Sequence, residues 1–356
     1  MDERINMKKE EDFLEDIEIE DIEAEDALFD DEDFEVKDHN GHKVRKGKKR
    51  QYSHLVVIGI AVAIILAVSI RVAIWNRGTQ SDYDPTEDTS QFDVEPTDFI
   101  QPLTSKQLEG KVKDDVLTLV TIGNSPFADN YGNNNLAKAI QDVFDANVIN
   151  IGFEESFITQ KNREYNIDTP EDGVSLPQVI NALATGDVSV VKDAAGRISD
   201  QNVMAAKALE NIDMSKVDGV IIMYNLEDYA DHRPLGSEDI DDVTSIYGAM
   251  YGSIKQLQET YPYVRIVVLS VPAAGVTIDD FYVDGDLYDI GCGTLSEYAV
   301  FETEATVTRG ASFVDVYYGA INVDQREEYL YDDYHISDAG AKSIANRVNE
   351  LILFQD

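Results

Sequence analysis

Five stretches of this chain are continuously apolar and rich in β-branched residues: VLTLVTI (116–122), NVINIG (147–152), DGVIIMYN (218–225), VRIVVLSVP (264–272) and ASFVDVYY (311–318). A strand with one wet face alternates apolar and polar residues. An unbroken apolar run needs both faces covered, as in a parallel sheet. Between these runs lie segments of helical spacing at 134–146, 176–186, 200–212, 242–261 and 294–308, then a last one over 337–354 with Ser337 and Asp338 at its cap. Parallel strands need crossovers of a dozen residues or more, and these segments supply them. The pattern predicts an α/β domain over 107–356 with right-handed crossovers and a mainly parallel sheet. No repeat of solenoid period interrupts it.

The chain has 356 residues, more than a usual domain of roughly 100–200, and the excess reads differently. The net charge of −40 excludes nucleic acid as a partner, because phosphate binding needs clustered Lys and Arg. Residues 1–42 carry much of that charge, in a tail that repels itself and buries little. Phe13, Leu14, Ile17, Ile22, Leu28 and Phe29 recur there loosely at helical spacing. This leaves open a helix formed on a cytoplasmic partner beside the plainer reading of a solvated tail.

Over 43–54 the sign flips, with Lys43, Arg45, Lys46, Lys48, Lys49 and Arg50. Directly after them comes LVVIGIAVAIILAVSIRVAIW (55–75), about the 20 apolar residues that cross a hydrocarbon core. Arg71 near its far end can snorkel, and Trp75 suits an interfacial belt. The run starts too late and is too long for a cleaved signal peptide. Positive charge before the span keeps the N-terminus cytoplasmic. The expectation is a single-pass plasma-membrane anchor, an extracellular linker over 76–106 and a domain outside. Cys292 is the one cysteine, so no intrachain disulfide is expected.

Within the domain, the first apolar run ends at Gly123-Asn124-Ser125 and Pro126. Ligands of open parallel sheets sit outside the carboxyl ends of the strands, so Ser125 is placed at the expected site edge. A serine hydroxyl needs an adjacent base, usually histidine, to become a nucleophile. Of five histidines, only His232 and His335 lie beyond the apolar span and its margin. His335 stands in YDDYHISDAGAKS just ahead of the last helix, and Asp332 precedes it by three residues. A turn there can aim the carboxylate at the imidazole Nδ1–H. Each residue alone has a plainer reading, as a turn or a cap. The set in this order is more specific. No metal is expected, because the acidic runs lack EF-hand spacing and no histidine pair has zincin spacing.

That set resembles the SGNH (GDSL-like) hydrolase family over most of 115–352, most closely at TIGNSPFADN and DDYHISDAGAKSIANRV. The resemblance implies a flavodoxin-like three-layer α/β/α sandwich, no cofactor, and ester hydrolysis through an acyl-enzyme. It makes Ser125 the nucleophile, His335 the base and Asp332 its orienting partner. For the oxyanion hole it points to Ser125, Gly152 and Asn225. The chain departs from the family at Asn124, where Asp is usual. It departs again in MYNLEDYADHRP (223–234), where aligning the strand sets Asn225 on the family's glycine, Glu227 on its asparagine and Asp228 on its aspartate. An ionised Glu227 cannot donate to an oxyanion and would oppose the chemistry; a shifted register lets Asn225 supply the amide. Asp231, His232 and Arg233 read either as a substrate contact or as a solvated loop tied by ion pairs. The functions that follow are an esterase on acyl or acetyl esters of cell-envelope glycans or lipids, an O-acyltransferase on the same scaffold, or a binding module without catalysis.

Overall fold

β1 (Thr118–Gly123) is buried along its whole length and lies inside a five-stranded sheet. In the computed structural model, which describes residues 95–112 and 114–354, β1 pairs on one side with β2 (Asn147–Gly152). On the other side it meets β3 (Gly219–Met223), followed outward by β4 (Arg265–Leu269). A hairpin of β5 (Gly275–Ile278) and β6 (Phe281–Asp284) stands apart, and β7 (Ser312–Val314) closes the far edge of the main sheet. The order β2-β1-β3-β4-β7, every pair parallel, is the flavodoxin-like order that the resemblance implied. The tail (1–42), the basic segment (43–54) and the apolar span (55–75) lie outside the described residues. Among the described residues no helix is long and apolar enough to cross a membrane.

The crossovers are helical where the apolar spacing predicts. α1 (Ser125–Ala128) is a single turn, and α2 (Leu136–Phe144) buries Leu136, Ala137 and Ile140. α3 (Leu176–Thr185), α4 (Ser189–Ile198) and α5 (Asp200–Glu210) follow β2. α4 was not expected, because VSVV opens it with a β-branched run; Val191, Ala194 and Ala195 nevertheless share one buried face. α6 (Glu227–Ala230) is one turn after β3, and α7 (Ile246–Thr260) leads to β4. α8 (Leu295–Thr308), α9 (Val316–Gly319), α10 (Arg326–Tyr329) and α11 (Asp338–Leu351) complete the chain. α2 packs against α11, while α3, α7 and α8 pack side by side.

Three boundaries differ from the sequence reading. The strand expected over 311–318 stops at Val314, because Asp315 caps α9 by accepting the Tyr318 N–H at 3.0 Å. The hairpin turns on Asp279 and Asp280, both with positive φ (+50° and +67°), as a two-residue turn between paired strands requires; aspartate tolerates this where Asn-Gly is more usual. The fold also starts inside the stretch assigned to the linker. Phe99 and Phe313 exchange backbone hydrogen bonds of 2.9 and 2.7 Å, and Thr97 N–H donates to Asp315 Oδ2 at 2.9 Å. So short a pairing leaves no period to read in sequence.

Gly123 shows how tightly β1 meets its neighbour. A Cβ added there would stand 1.7 Å from the Met223 carbonyl oxygen. Neither strand can retreat without breaking the ladder, so Gly123→Ala is expected to cost about 3 kcal/mol or more, read as a lower urea midpoint at unchanged slope.

Candidate active site

The tip of β1 presents the candidate nucleophile, Ser125, through its turn. Asn124 leaves the strand at φ −109° and ψ −130°, and Pro126 fixes the first turn of α1, which begins at Ser125. A one-turn helix leaves its last carbonyls without helical partners. Here side-chain amides replace them: Phe127 O accepts from Asn135 Nδ2 and Asn150 Nδ2, both at 2.9 Å, and Ala128 O accepts from Gln201 Nε2 at 2.7 Å. Asn124 fastens the other side. Its Oδ1 accepts the Asn225 N–H at 2.8 Å, and its Nδ2 donates to Ser156 O at 3.1 Å, tying the tips of β1 and β3 to the loop after β2. Ser125 is only 8 % exposed, so its hydroxyl is set by protein rather than by water.

The loop between α10 and α11 carries the candidate base, His335. Asp332 Oδ1 accepts the His335 N–H at 2.8 Å and the Tyr334 N–H at 3.0 Å, while Oδ2 lies 2.8 Å from His335 Nδ1. Burial pushes the Asp332 carboxyl up, but the two backbone donors and the imidazole outweigh it and hold the group below the ordinary carboxylate range. Tyr331 stacks on His335 at 5.4 Å between ring centroids, and Tyr334 packs on it at 4.0 Å. Asn225 couples this loop to the serine: Nδ2 donates to Tyr334 O at 2.8 Å and to Ser125 Oγ at 3.3 Å. Among the described residues, His335 Nε2 makes no hydrogen bond to Ser125 Oγ. Its carboxylate neighbour on that side is Asp129 Oδ2 at 3.8 Å. Catalytic hydrogen bonds of ligand-free enzymes are often long and tighten on substrate.

The third block takes the shifted register for its amide and keeps its acid at the site. Asn225 supplies Nδ2 to the serine, and Glu227 stands at the start of α6. Burial pushes the Glu227 carboxyl up to about 7; the Ser125 hydroxyl draws it back toward the ionised form and Asp228 repels it further upward. Its Oε2 is buried without a hydrogen-bond partner. The expected conflict between an anionic Glu227 and an oxyanion is therefore softened, because burial favours a neutral acid. Asp228 faces away from the serine. It accepts from Ile158 N–H (2.8 Å), Thr159 N–H (3.1 Å) and Thr159 Oγ1 (2.7 Å), and burial raises it to about 6.

Gly152 is corrected. Its N–H already donates to Asn150 Oδ1 at 2.9 Å, so it cannot serve an oxyanion. It is a glycine for packing: a Cβ would stand 2.5 Å from the Phe127 carbonyl carbon, inside the helix that carries Ser125. Glu155, further along the same loop, holds φ +53°, a conformation that favours glycine, and its N–H has no acceptor among the described residues. The Asp231–His232–Arg233 cluster is not a solvated loop at its arginine. Arg233 is 4 % exposed, its Nε lies 2.7 Å from Asp231 Oδ2, and its guanidinium covers the Phe157 ring at 4.6 Å. His232 takes φ +56°, and its carbonyl accepts from Cys292 Sγ at 3.1 Å.

Sequence reasoning missed Asp129, Tyr331 and Asn150. Asp129 sits one helical turn after Ser125, and Tyr331 four residues before His335, so spacing from the two anchors was the available signal. Burial raises Asp129, partly offset by His335 and by the Tyr331 hydroxyl, which donates at 3.1 Å. Among the described residues no group of His, Cys, Asp and Glu could hold a metal ion.

No protein-family model matches the chain, and no curated protein does. Solved structures resemble it. A protein from Lactobacillus plantarum is 18 % identical, covering 67 % of this chain and 97 % of that one, with a TM-score of 0.46. A lipase/acylhydrolase from Enterococcus faecalis is 13 % identical over 66 % of this chain and 94 % of its own, at a TM-score of 0.38. A carbohydrate acetylesterase from Sinorhizobium meliloti is 14 % identical over 66 % of this chain and all of its own (100 %), again at 0.38. The strand order, the serine at the tip of β1 and the aspartate–histidine pair ahead of α11 are those that the resemblance read from the sequence implied.

Proposed function

We propose that this chain hydrolyses carboxylic esters through an acyl-enzyme on Ser125. One observation carries the reading: Asn225 Nδ2 bonds both Ser125 Oγ and the Tyr334 carbonyl, so the oriented His335–Asp332 pair stands beside the serine. In the reaction Oγ attacks the acyl carbonyl while its proton passes to His335 Nε2. Asp332 holds Nδ1–H and stabilises the imidazolium, which then protonates the leaving alcohol. Water, activated by the same imidazole, releases the acid. The oxyanion would draw on the Ser125 N–H, the Asn225 amide and the Glu155 N–H. The apolar span at 55–75 behind a basic block supports a plasma-membrane anchor with the domain outside, where acyl or acetyl esters of envelope glycans and lipids are the substrates within reach.

The second reading is a binding module, favoured by a carboxyl beside Ser125 and by the missing His335–Ser125 hydrogen bond. A fluorophosphonate probe applied to the full-length protein separates the two. Labelling that disappears in Ser125→Ala, with turnover of short acyl esters, supports the hydrolase. No labelling and no turnover leaves the binding module.

A further inference from the structure

We propose that Asp129 reads a hydroxyl on the alcohol side of the ester, so that this site takes esters of polyols such as sugars, with a free hydroxyl on the carbon next to the acylated one. The inference deepens the hydrolase reading and rests on it.

Asp129 is placed by the same turn that places the serine. It directly follows α1, and its N–H donates to Ser125 O at 3.0 Å, so the two residues keep a fixed spacing. Its Oδ2 lies 3.8 Å from His335 Nε2 and accepts the Tyr331 O–H at 3.1 Å. Among the described residues Oδ1 accepts no hydrogen bond, yet it is not one of the buried orphans, and the side chain is 28 % exposed. One carboxyl oxygen is thus anchored and the other open to a ligand. Tyr331 stacks on His335 with 12° between the ring planes and is itself 57 % exposed. An open carboxyl acceptor beside an exposed aromatic ring suits a sugar, whose C–H face lies on the ring while a hydroxyl donates to the acid.

The reaction decides which part of the substrate meets Asp129. Ester cleavage breaks the bond between the acyl carbon and the alcohol oxygen, and that oxygen takes the proton held on His335 Nε2. The leaving oxygen must then stand within about 3 Å of Nε2. Asp129 Oδ2 flanks the same nitrogen, so the alcohol half, not the acyl half, comes up against this carboxyl. A hydroxyl on the neighbouring carbon reaches it, donates to it and keeps its own proton throughout. An alcohol without that hydroxyl lays a C–H group on the acceptor and displaces its water with nothing in return. Leaving such a group unpaired is worth about tenfold to 100-fold in kcat/KM.

A cationic alcohol would also suit a carboxylate, but burial raises Asp129, away from the ionised form that an ammonium group requires. Its present partner is a neutral hydroxyl, that of Tyr331, and a carboxyl accepts from a hydroxyl in either charge state.

The test compares two esters on the full-length protein, the monoacetate of the trans vicinal cyclohexanediol and cyclohexyl acetate, which differ by the one hydroxyl. Each kcat/KM is divided by that ester's own hydroxide-catalysed rate, which removes the difference in leaving group. Wild type should favour the diol ester by about tenfold to 100-fold, and Asp129→Ala should bring the ratio close to unity. An Asp129→Ala variant that slows both esters together and keeps the wild-type ratio shows a structural role only and overturns the proposal. So does a wild-type ratio near unity, a comparison that needs no variant to fold. Faster normalised turnover of acetylcholine than of the diol ester also overturns it, assigning the carboxyl to a cation. In each of these cases Ser125 still labels with the fluorophosphonate probe and the hydrolase stands. No labelling of Ser125, with no ester turned over, sinks the hydrolase reading and the proposal with it.

Discussion

Replacing Ser125 with alanine is expected to lower kcat for ester hydrolysis by about 10⁴-fold to 10⁶-fold, with the fold intact. The size follows from the division of labour at the centre. Without Oγ there is no acyl-enzyme, and His335 has no proton to take; what survives is binding and whatever the N–H groups of the site do for an attacking water. The fold is expected to survive because α1 is held from outside. Asn135, Asn150 and Gln201 satisfy its carbonyls, and none of them touches the serine hydroxyl. The measurement is steady-state hydrolysis of a short acyl ester beside a thermal melt, and a melt unchanged within about 2 °C counts as an intact fold. Residual turnover within tenfold of wild type would show that ester hydrolysis does not depend on this serine.

Asp332→Asn is the second large effect, expected to reduce kcat by about 10³-fold to 10⁴-fold. The substitution is nearly isosteric, and Asn keeps an oxygen for the two backbone donors, His335 N–H and Tyr334 N–H. The loop should therefore stay where it is. What changes is the atom facing His335 Nδ1 at 2.8 Å: an amide N–H replaces a carboxylate oxygen. Imidazole answers a donor at Nδ1 by placing its own proton on Nε2, the nitrogen that must accept the serine proton. The base is then present in the wrong tautomer. Loss of kcat with KM nearly unchanged is the expected split, and raising the pH should not restore the rate.

The strands were legible in sequence because a doubly covered sheet leaves little choice. NVINIG is β2 residue for residue, and the run at 264–272 contains β4 whole. The place of Ser125 just past β1 and the contact of Asp332 with His335 three residues on were legible because one follows a strand end and the other spans a single turn. What sequence could not show is where polar side chains turn. Gly152 was adjacent in number to the oxyanion loop but spent its N–H on Asn150, two residues back. Glu227 read as a charge because nothing in MYNLEDYADHRP tells that its Oε2 is buried. Arg233 stayed open between a substrate contact and a solvated ion pair for the same reason, and the aromatic ring that covers it, Phe157, lies far back in the chain. Burial of these groups depends on loops from separate crossovers closing over one another, and no local period records that.

The backbone exchange between Phe99 and Phe313 has a consequence for solubility. β7 is the last strand of the parallel sheet on that side, and an uncovered terminal strand offers its free N–H and C=O groups to any extended chain nearby. The segment arriving from the N-terminal side occupies that margin antiparallel and so acts as a selvedge, finishing the cloth where it would otherwise unravel into a neighbour. A fragment trimmed at residue 107, though it retains β1 to β7 and the candidate site, would carry a raw border and a tendency to self-associate.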